Sequence, residues 1–253
     1  MSERDLIRLS QSHLNLLSIC PPKFQRLYLD CLGSIAAPEQ QESMQWGSRF
    51  HLLMQQRELA LPIEPLLATD TELDRSLKAL IEAAPELQPD VEIWREAEHC
   101  RTLSWDNFLF TVIYDLLIAE AERATILDWK TYRQPIKAQV LRQNWQTRLY
   151  LYVLAETSAY QPEQIQMTYW FVKSGQPSQV KIGYSQAEHE RTEADIGILL
   201  TDLNKWLQNN REFQVDFPHR ADCESCPFYQ DLGERNIESE ILAAIDKIEE
   251  VEI

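Results

Sequence analysis

The sequence predicts a mixed α/β domain of the α+β kind, with a small central mixed sheet flanked by helices. Three observations carry this. Apolar residues recur at helical spacing through most of residues 10–83. Aromatic and β-branched stretches bounded by polar turns fill 91–131 and 166–184. Helical spacing then returns between and after those stretches, which is the pattern of helices packed on a short sheet.

Each element follows in order. Ser10 and Ser12 are both able to cap a helix carrying Leu14, Leu17, Phe24, Leu27 and Tyr28, broken or kinked at Pro21 and Pro22. A second helix is expected over about 41–59 and a third over about 71–83, with Pro62, Pro65, Pro85 and Pro89 in the connections. Extended segments follow at about 91–99, 107–118 and 125–131. A long helix is predicted over 137–158. Strands at 166–173 and 179–184 flank a turn at Ser174, Gly175, Gln176 and Pro177. A further helix covers 186–210, and the last, at 237–251, has Ile237, Ile241, Leu242, Ile245 and Ile248 at helical spacing. The organisation expected is one domain over 1–235 followed by an acidic amphipathic helix over 236–253.

Composition narrows the function classes. No apolar run approaches the roughly 20 residues of a membrane span, and the N-terminus lacks the pattern of a secretory signal, so a cytoplasmic protein with no membrane partner is expected. Five cysteines without an export signal read as thiols or metal ligands. The six glycines form neither a P-loop nor a dinucleotide fingerprint, which excludes a nucleotide-driven motor. A net charge of -16 opposes broad attraction to phosphate backbones, so nucleic acid must be met by a local basic region. Residues 123–148 supply one, with six cations against Asp128 alone; Arg133, Lys137, Arg142 and Arg148 are its candidate DNA contacts. Residues 231–253 hold eight acids against two cations.

The chemistry centres on Asp115, Asp128 and Lys130. Antiparallel pairing about the turn near Ala121 and Glu122 puts Asp115 opposite Asp128, with Cβ atoms roughly 4.5–5.5 Å apart. Side chains alternate along a strand, so Asp128 and Lys130 share a face and Trp129 points away. Two carboxylates can hold a divalent cation, and a lysine beside them can orient water or stabilise a developing oxyanion. That combination suits phosphodiester hydrolysis.

These residues sit within an ordered series of motifs: Ser10, Ser12 and Cys20-Pro21; Trp46-Gly47 with His51; Asp115 in Ile-Tyr-Asp-Leu-Leu; Asp128-Trp129-Lys130-Thr131; and Gln146 with Tyr150. The series resembles the PD-(D/E)xK nuclease superfamily, and in particular its RecB-like branch, which includes CRISPR-associated spacer-acquisition nucleases. The resemblance implies a restriction-endonuclease-like core and a metal-dependent DNA nuclease, exonuclease-like, acting in repair or recombination. It implies Mg²⁺ or Mn²⁺ held by His51, Asp115, Asp128 and the backbone carbonyl of Trp129. Lys130 would serve catalysis, with Gln146 and Tyr150 beside it. Glu98 or Glu96 matches an acid on the preceding strand. DNA that is single-stranded or has free ends is the implied partner, and a helicase or other DNA-processing protein a further one. Two departures stand out: Val112 occupies a position where many relatives have glycine, and only Cys20, Cys223 and Cys226 match the cysteines that hold an iron–sulfur cluster in some relatives. The fourth would fall near Leu232, so a cluster is not favoured. A zinc site completed by His219 and a remnant of a lost cluster both fit that set. The alternative function is a nuclease-derived DNA-binding or scaffold subunit without turnover.

Overall fold

The computed structural model describes residues 6–32, 38–88, 93–131, 135–173 and 176–220. The predicted C-terminal helix, Cys223, Cys226 and Arg133 lie outside the described residues. In chain order the elements are β1 (Ile7–Leu9), α1 (Gln11–Ile19), α2 (Pro21–Phe24), α3 (Pro38–Glu58), α4 (Glu64–Leu67), α5 (Thr71–Ala83), β2 (Trp94–Trp105), β3 (Phe108–Ala119), β4 (Ala124–Lys130), α6 (Ala138–Gln143), α7 (Trp145–Glu156), β5 (Ile165–Phe171), β6 (Ser178–Gly183) and α8 (Gln186–Phe213). One π-helical turn at Gln25–Leu29 and short 3-10 turns at Pro85–Leu87 and Pro162–Gln164 complete them.

The chain divides into two units. The first, Met1–Ser10 with Gln45–Glu193, contains the mixed six-stranded sheet. β3 pairs antiparallel with β2 along its whole length. It pairs parallel with β1 over Phe108–Phe110 and antiparallel with β4 over Leu116–Ala119. A strand has two hydrogen-bonding edges, so β1 and β4 share one edge of β3. Between them that edge has no strand partner among the described residues from Thr111 to Asp115. β4 then pairs parallel with β5, and β5 antiparallel with β6.

β4 is buried on both faces, as a central strand beside a parallel neighbour should be. Leu127 and Trp129 of β4 and Trp170 of β5 join Phe50, Leu53, Leu73, Leu77 and Leu80 of α3 and α5 in one apolar cluster. The alternate residues face α7: Asp128 and Lys130 bond to Gln146, and the Tyr169 hydroxyl meets Thr147 Oγ1 at 2.7 Å. Asp70 caps α5 by accepting from the Glu72 and Leu73 amides.

Three expectations need correction. The helix predicted over 137–158 is two helices, because Asn144 takes an extended conformation (ψ 140°) and its side chain caps the Gln146 amide. β2 extends six residues past its predicted end at 99, turning tightly at Asp106, whose φ of 51° is one Asp tolerates better than most residues. β1 was not foreseen; three residues carry too little periodicity to mark a strand.

The second unit, Gln11–Met44 with residues 194–253, is held by long-range contacts of its own. Gln25 Nε2 donates to Asp216, Gln25 Oε1 accepts from the Phe217 amide, and Arg220 donates to the Leu17 carbonyl. Phe217 packs near Phe24 and Trp206, with ring centroids 6.3 and 5.6 Å apart.

Candidate active site

Five elements of the first unit deliver the candidate side chains: His51 from α3, Glu98 from β2, Asp115 from β3, Asp128 and Lys130 from β4, and Gln146 with Tyr150 from α7. The β3 to β4 ladder ends at Leu116 and Leu127, so Asp115 and Asp128 occupy the next register position, as the pairing predicted. There the ladder gives way to a side chain. Asp115 Oδ2 accepts the Trp129 amide at 2.6 Å. Its other oxygen, Oδ1, lies 3.2 Å from His51 Nδ1. The second ring nitrogen, Nε2, lies 3.1 Å from the Trp129 carbonyl oxygen.

Both imidazole nitrogens face oxygens, which favours the doubly protonated ring. Burial alone would lower the His51 pKa; the charge of Asp115 and its hydrogen bond, followed by the charges of Asp128 and Glu98, overcome this and raise it to about 9.

Glu96 and Glu98, the two acids that the sequence offers on this strand, have different surroundings. Glu96 is exposed and bonds to His99 at 2.6 Å. Glu98 falls between the pairs Ala97 with Leu116 and His99 with Tyr114, which sets it opposite Asp115. Its φ is 52°, a left-handed conformation unusual for a non-glycine residue inside a strand. His51, Glu98 and Asp115 each bring a ligand atom within 4.8 Å of the other two, the one such group among the described residues. Burial and the charge of Asp115 raise the Glu98 pKa, against the pull of His51. The hairpin turn at Asp106, once known, identifies this residue by counting back from the turn; the sequence alone did not separate it from Glu96.

Asp128 is buried and held from two sides. Oδ1 accepts from Gln146 Nε2 at 2.7 Å, and Oδ2 lies 2.8 Å from Lys130 Nζ. Lys130 in turn donates to Gln146 Oε1 at 2.8 Å and lies 5.3 Å from the Tyr169 ring centroid. Asp128, Lys130 and Gln146 thus form a closed triangle, possible because the break at Asn144 starts α7 beside Asp128. Burial raises the Asp128 pKa and Asp115 adds to it, while Lys130 opposes both. Tyr150, one turn on from Gln146, is buried; desolvation and the charges of Asp128 and Asp115 push its hydroxyl pKa up, so it stays protonated.

The donor set fits a divalent cation. An imidazole nitrogen, carboxylate oxygens and the Trp129 carbonyl lie together, and the carboxylates suffer from mutual repulsion that a cation would relieve. Of the ligands implied by resemblance, His51, Asp115 and the Trp129 carbonyl converge directly. Asp128 adjoins them with its oxygens turned to Lys130 and Gln146.

The remaining motif residues have structural surroundings. A Cβ built on Gly47 would stand 3.1 Å from Thr131 Oγ1, so α3 approaches the end of β4 closely one turn before His51. Trp46 stacks on Phe50 at 5.5 Å, with Lys173 Nζ 4.4 Å over its ring. Val112 is buried, so that departure from glycine lies inside the fold. Lys137 is exposed, Arg142 pairs with Glu188, and the Arg148 guanidinium lies 4.2 Å over the Trp145 ring. Cys20 is a buried residue at the start of α2.

Comparison with known proteins agrees with this architecture. The family model for the PD-(D/E)XK nuclease superfamily matches residues 8–230, and the chain belongs to that superfamily. Its members generally use divalent metals. No match to a curated protein is found. Among solved structures, a "Putative exonuclease" from Eubacterium rectale shares the fold with a TM-score of 0.55 and 9% identity, over 96% of each chain. The structure of SSO0001 aligns with a TM-score of 0.36 and 12% identity, over 80% of this chain and 76% of that one. Among the described residues, no helix is long and apolar enough to cross a membrane.

Proposed function

We propose that the protein is a metal-dependent DNA nuclease of the RecB-like branch, hydrolysing phosphodiester bonds from free or single-stranded ends in repair or recombination. The observation that carries this reading is the Asp128, Lys130 and Gln146 triangle set against the His51, Glu98 and Asp115 group.

His51, Asp115, Glu98 and the Trp129 carbonyl would hold Mg²⁺ or Mn²⁺, with Asp128 as the adjoining carboxylate. A bound cation of this kind neutralises charge on phosphate oxygens and acidifies water. The chain's own groups do the rest. Lys130 places an ammonium where the phosphate develops negative charge and orients the attacking water. Gln146 fixes Lys130 and Asp128 relative to each other through one amide. Tyr150, protonated and buried beneath them, keeps that amide in place. An intact triangle favours turnover over an inactive scaffold. The expectation of a helicase partner rests on the resemblance alone.

The test is cleavage of end-labelled single- and double-stranded DNA, with circular DNA alongside, in Mg²⁺, Mn²⁺ or EDTA. Wild type should cleave only with metal and only substrates with ends, and Lys130→Ala should lose about 10²-fold or more in rate. No metal-dependent cleavage by wild type, or equal cleavage by Lys130→Ala, overturns the assignment.

A further inference from the structure

A second feature of the first unit lies outside the triangle. A cavity of about 290 Å³ opens between α6, α7, β6 and the start of α8. Its lining holds three arginines, Arg142, Arg148 and Arg191, against one acid, Glu188. In a chain of net charge -16 such a local excess of cations is not a sample of the average surface.

The arginines are held differently. Arg148 is fixed by the Trp145 ring beneath its guanidinium and by a long hydrogen bond from Nε to Thr192 Oγ1. Arg142 is drawn inward by Glu188 and the Gly183 carbonyl. Glu188 is itself fixed by the Ser185 hydroxyl. Arg191 is exposed at the rim. An arginine fork pre-positioned by stacking loses less freedom on meeting a phosphate than a loose lysine does.

The cavity's position relates it to the triangle. Thr147 and Arg148 line it, whereas Gln146 and Tyr150 face Asp128. At about 100° per residue, Thr147 lies about 100° and Arg148 about 200° around the helix from Gln146, so the cavity and the triangle occupy different faces of the first turn of α7. β6 is two strands from β4, about 10 Å across the sheet. A nucleic-acid strand that meets both must therefore pass around the first turn of α7, which puts different nucleotides at the two places.

We infer that this arginine-lined cavity binds a phosphodiester of a nucleic-acid strand at a nucleotide away from the one being cut. Its chemistry is recognition of a phosphate oxyanion, without base readout. That the strand belongs to the substrate rests on the nuclease reading; the anion site itself does not.

The experiment measures binding of a fluorescent single-stranded oligonucleotide to the full chain in EDTA, across a series of salt concentrations, so that no turnover is involved. Removing one cation that neutralises a phosphate flattens the slope of log affinity against log salt by about 0.7. Arg191→Ala and Arg148→Gln should each weaken binding several-fold and flatten the slope by that amount. Glu188→Gln, which removes the competing acid, should tighten binding. Circular dichroism and the urea midpoint confirm that each variant folds, and Arg191→Ala, at an exposed position, keeps the test open where Arg148→Gln perturbs packing. Inorganic phosphate titrated into the wild type should compete at millimolar concentration. Unchanged affinity and slope in Arg191→Ala and Arg148→Gln overturn the proposal, as does binding of inorganic phosphate with no effect of these variants on the oligonucleotide. Oligonucleotide binding that depends on the arginines, in a protein that fails to cleave with metal, leaves this site standing and removes the nuclease reading.

Discussion

Glu98 holds a left-handed backbone in the middle of β2, at a cost of about 1–2 kcal/mol for a residue with a Cβ, and its carboxylate is pressed against Asp115. A cation bound by His51, Glu98 and Asp115 would offset that cost. Glu98→Gly should therefore raise the metal-free stability by about 1 kcal/mol in urea unfolding while lowering metal-dependent cleavage about tenfold or more. A variant that loses stability would show that the left-handed backbone stores no strain, and one that keeps full activity would remove Glu98 from the metal site. Gln146 acts through its neighbours, so Gln146→Leu should cut kcat about 10- to 100-fold and leave KM for DNA nearly unchanged; a change confined to KM would make it a substrate contact instead. At this scale Asp115, Asp128 and Lys130 were legible because strand alternation and a short turn fix their register. Glu98 was not, since a left-handed glutamate has no sequence signature. The triangle through Gln146 was legible as a motif but not as a geometry.

Two elements set the site, and each depends on one small residue. Asn144 ends α6 and caps α7, and without that break Gln146 would not start a helix beside Asp128. The sequence concealed it because apolar spacing runs through 137–158 almost without interruption and Asn carries only a weak breaking tendency. Gly47 lets α3 settle against Thr131, which carries His51 over the Trp129 carbonyl one turn later. Gly47→Ala gains about 1 kcal/mol of helix propensity but puts Cβ 3.1 Å from Thr131 Oγ1. The single variant should slow cleavage by pushing α3 off β4. Adding Thr131→Ala should recover rate relative to Gly47→Ala and leave the pair about 1 kcal/mol more stable than Thr131→Ala alone, both read from cleavage rates and urea midpoints. If Gly47→Ala alone keeps its rate and gains that stability, the close approach is not what the site requires. The strands and most helices were readable from periodicity; β1 and the length of β2 were not, because a three-residue strand and a glycine-free turn leave little pattern.

For the whole molecule, His51 couples proton, metal and fold. In the metal-free protein its pKa is raised from 6.5 to about 9, so the protonated ring stabilises the folded chain. That contribution is fully present below about pH 6.5 and is lost as pH rises through about 9. His51→Gln should accordingly cost the metal-free protein more at pH 6 than at about pH 10. Ligation requires the neutral ring, which reverses the preference once a cation is present. At pH 7 each cation bound should release about one proton, and Mn²⁺ affinity should climb with pH up to about 9. Because a ligand stabilises the folded chain by RT ln(1 + [L]/Kd), a fixed Mn²⁺ concentration should raise the unfolding temperature more at pH 8, where affinity is higher, than at pH 6. Calorimetric titration in two buffers of different ionisation enthalpy counts the proton, and thermal unfolding reads the shift. Absence of proton release, together with a metal-induced shift equal at the two pH values and unaltered in His51→Gln, would remove His51 from the ligand set and leave Asp115, Glu98 and the Trp129 carbonyl to hold the cation without it.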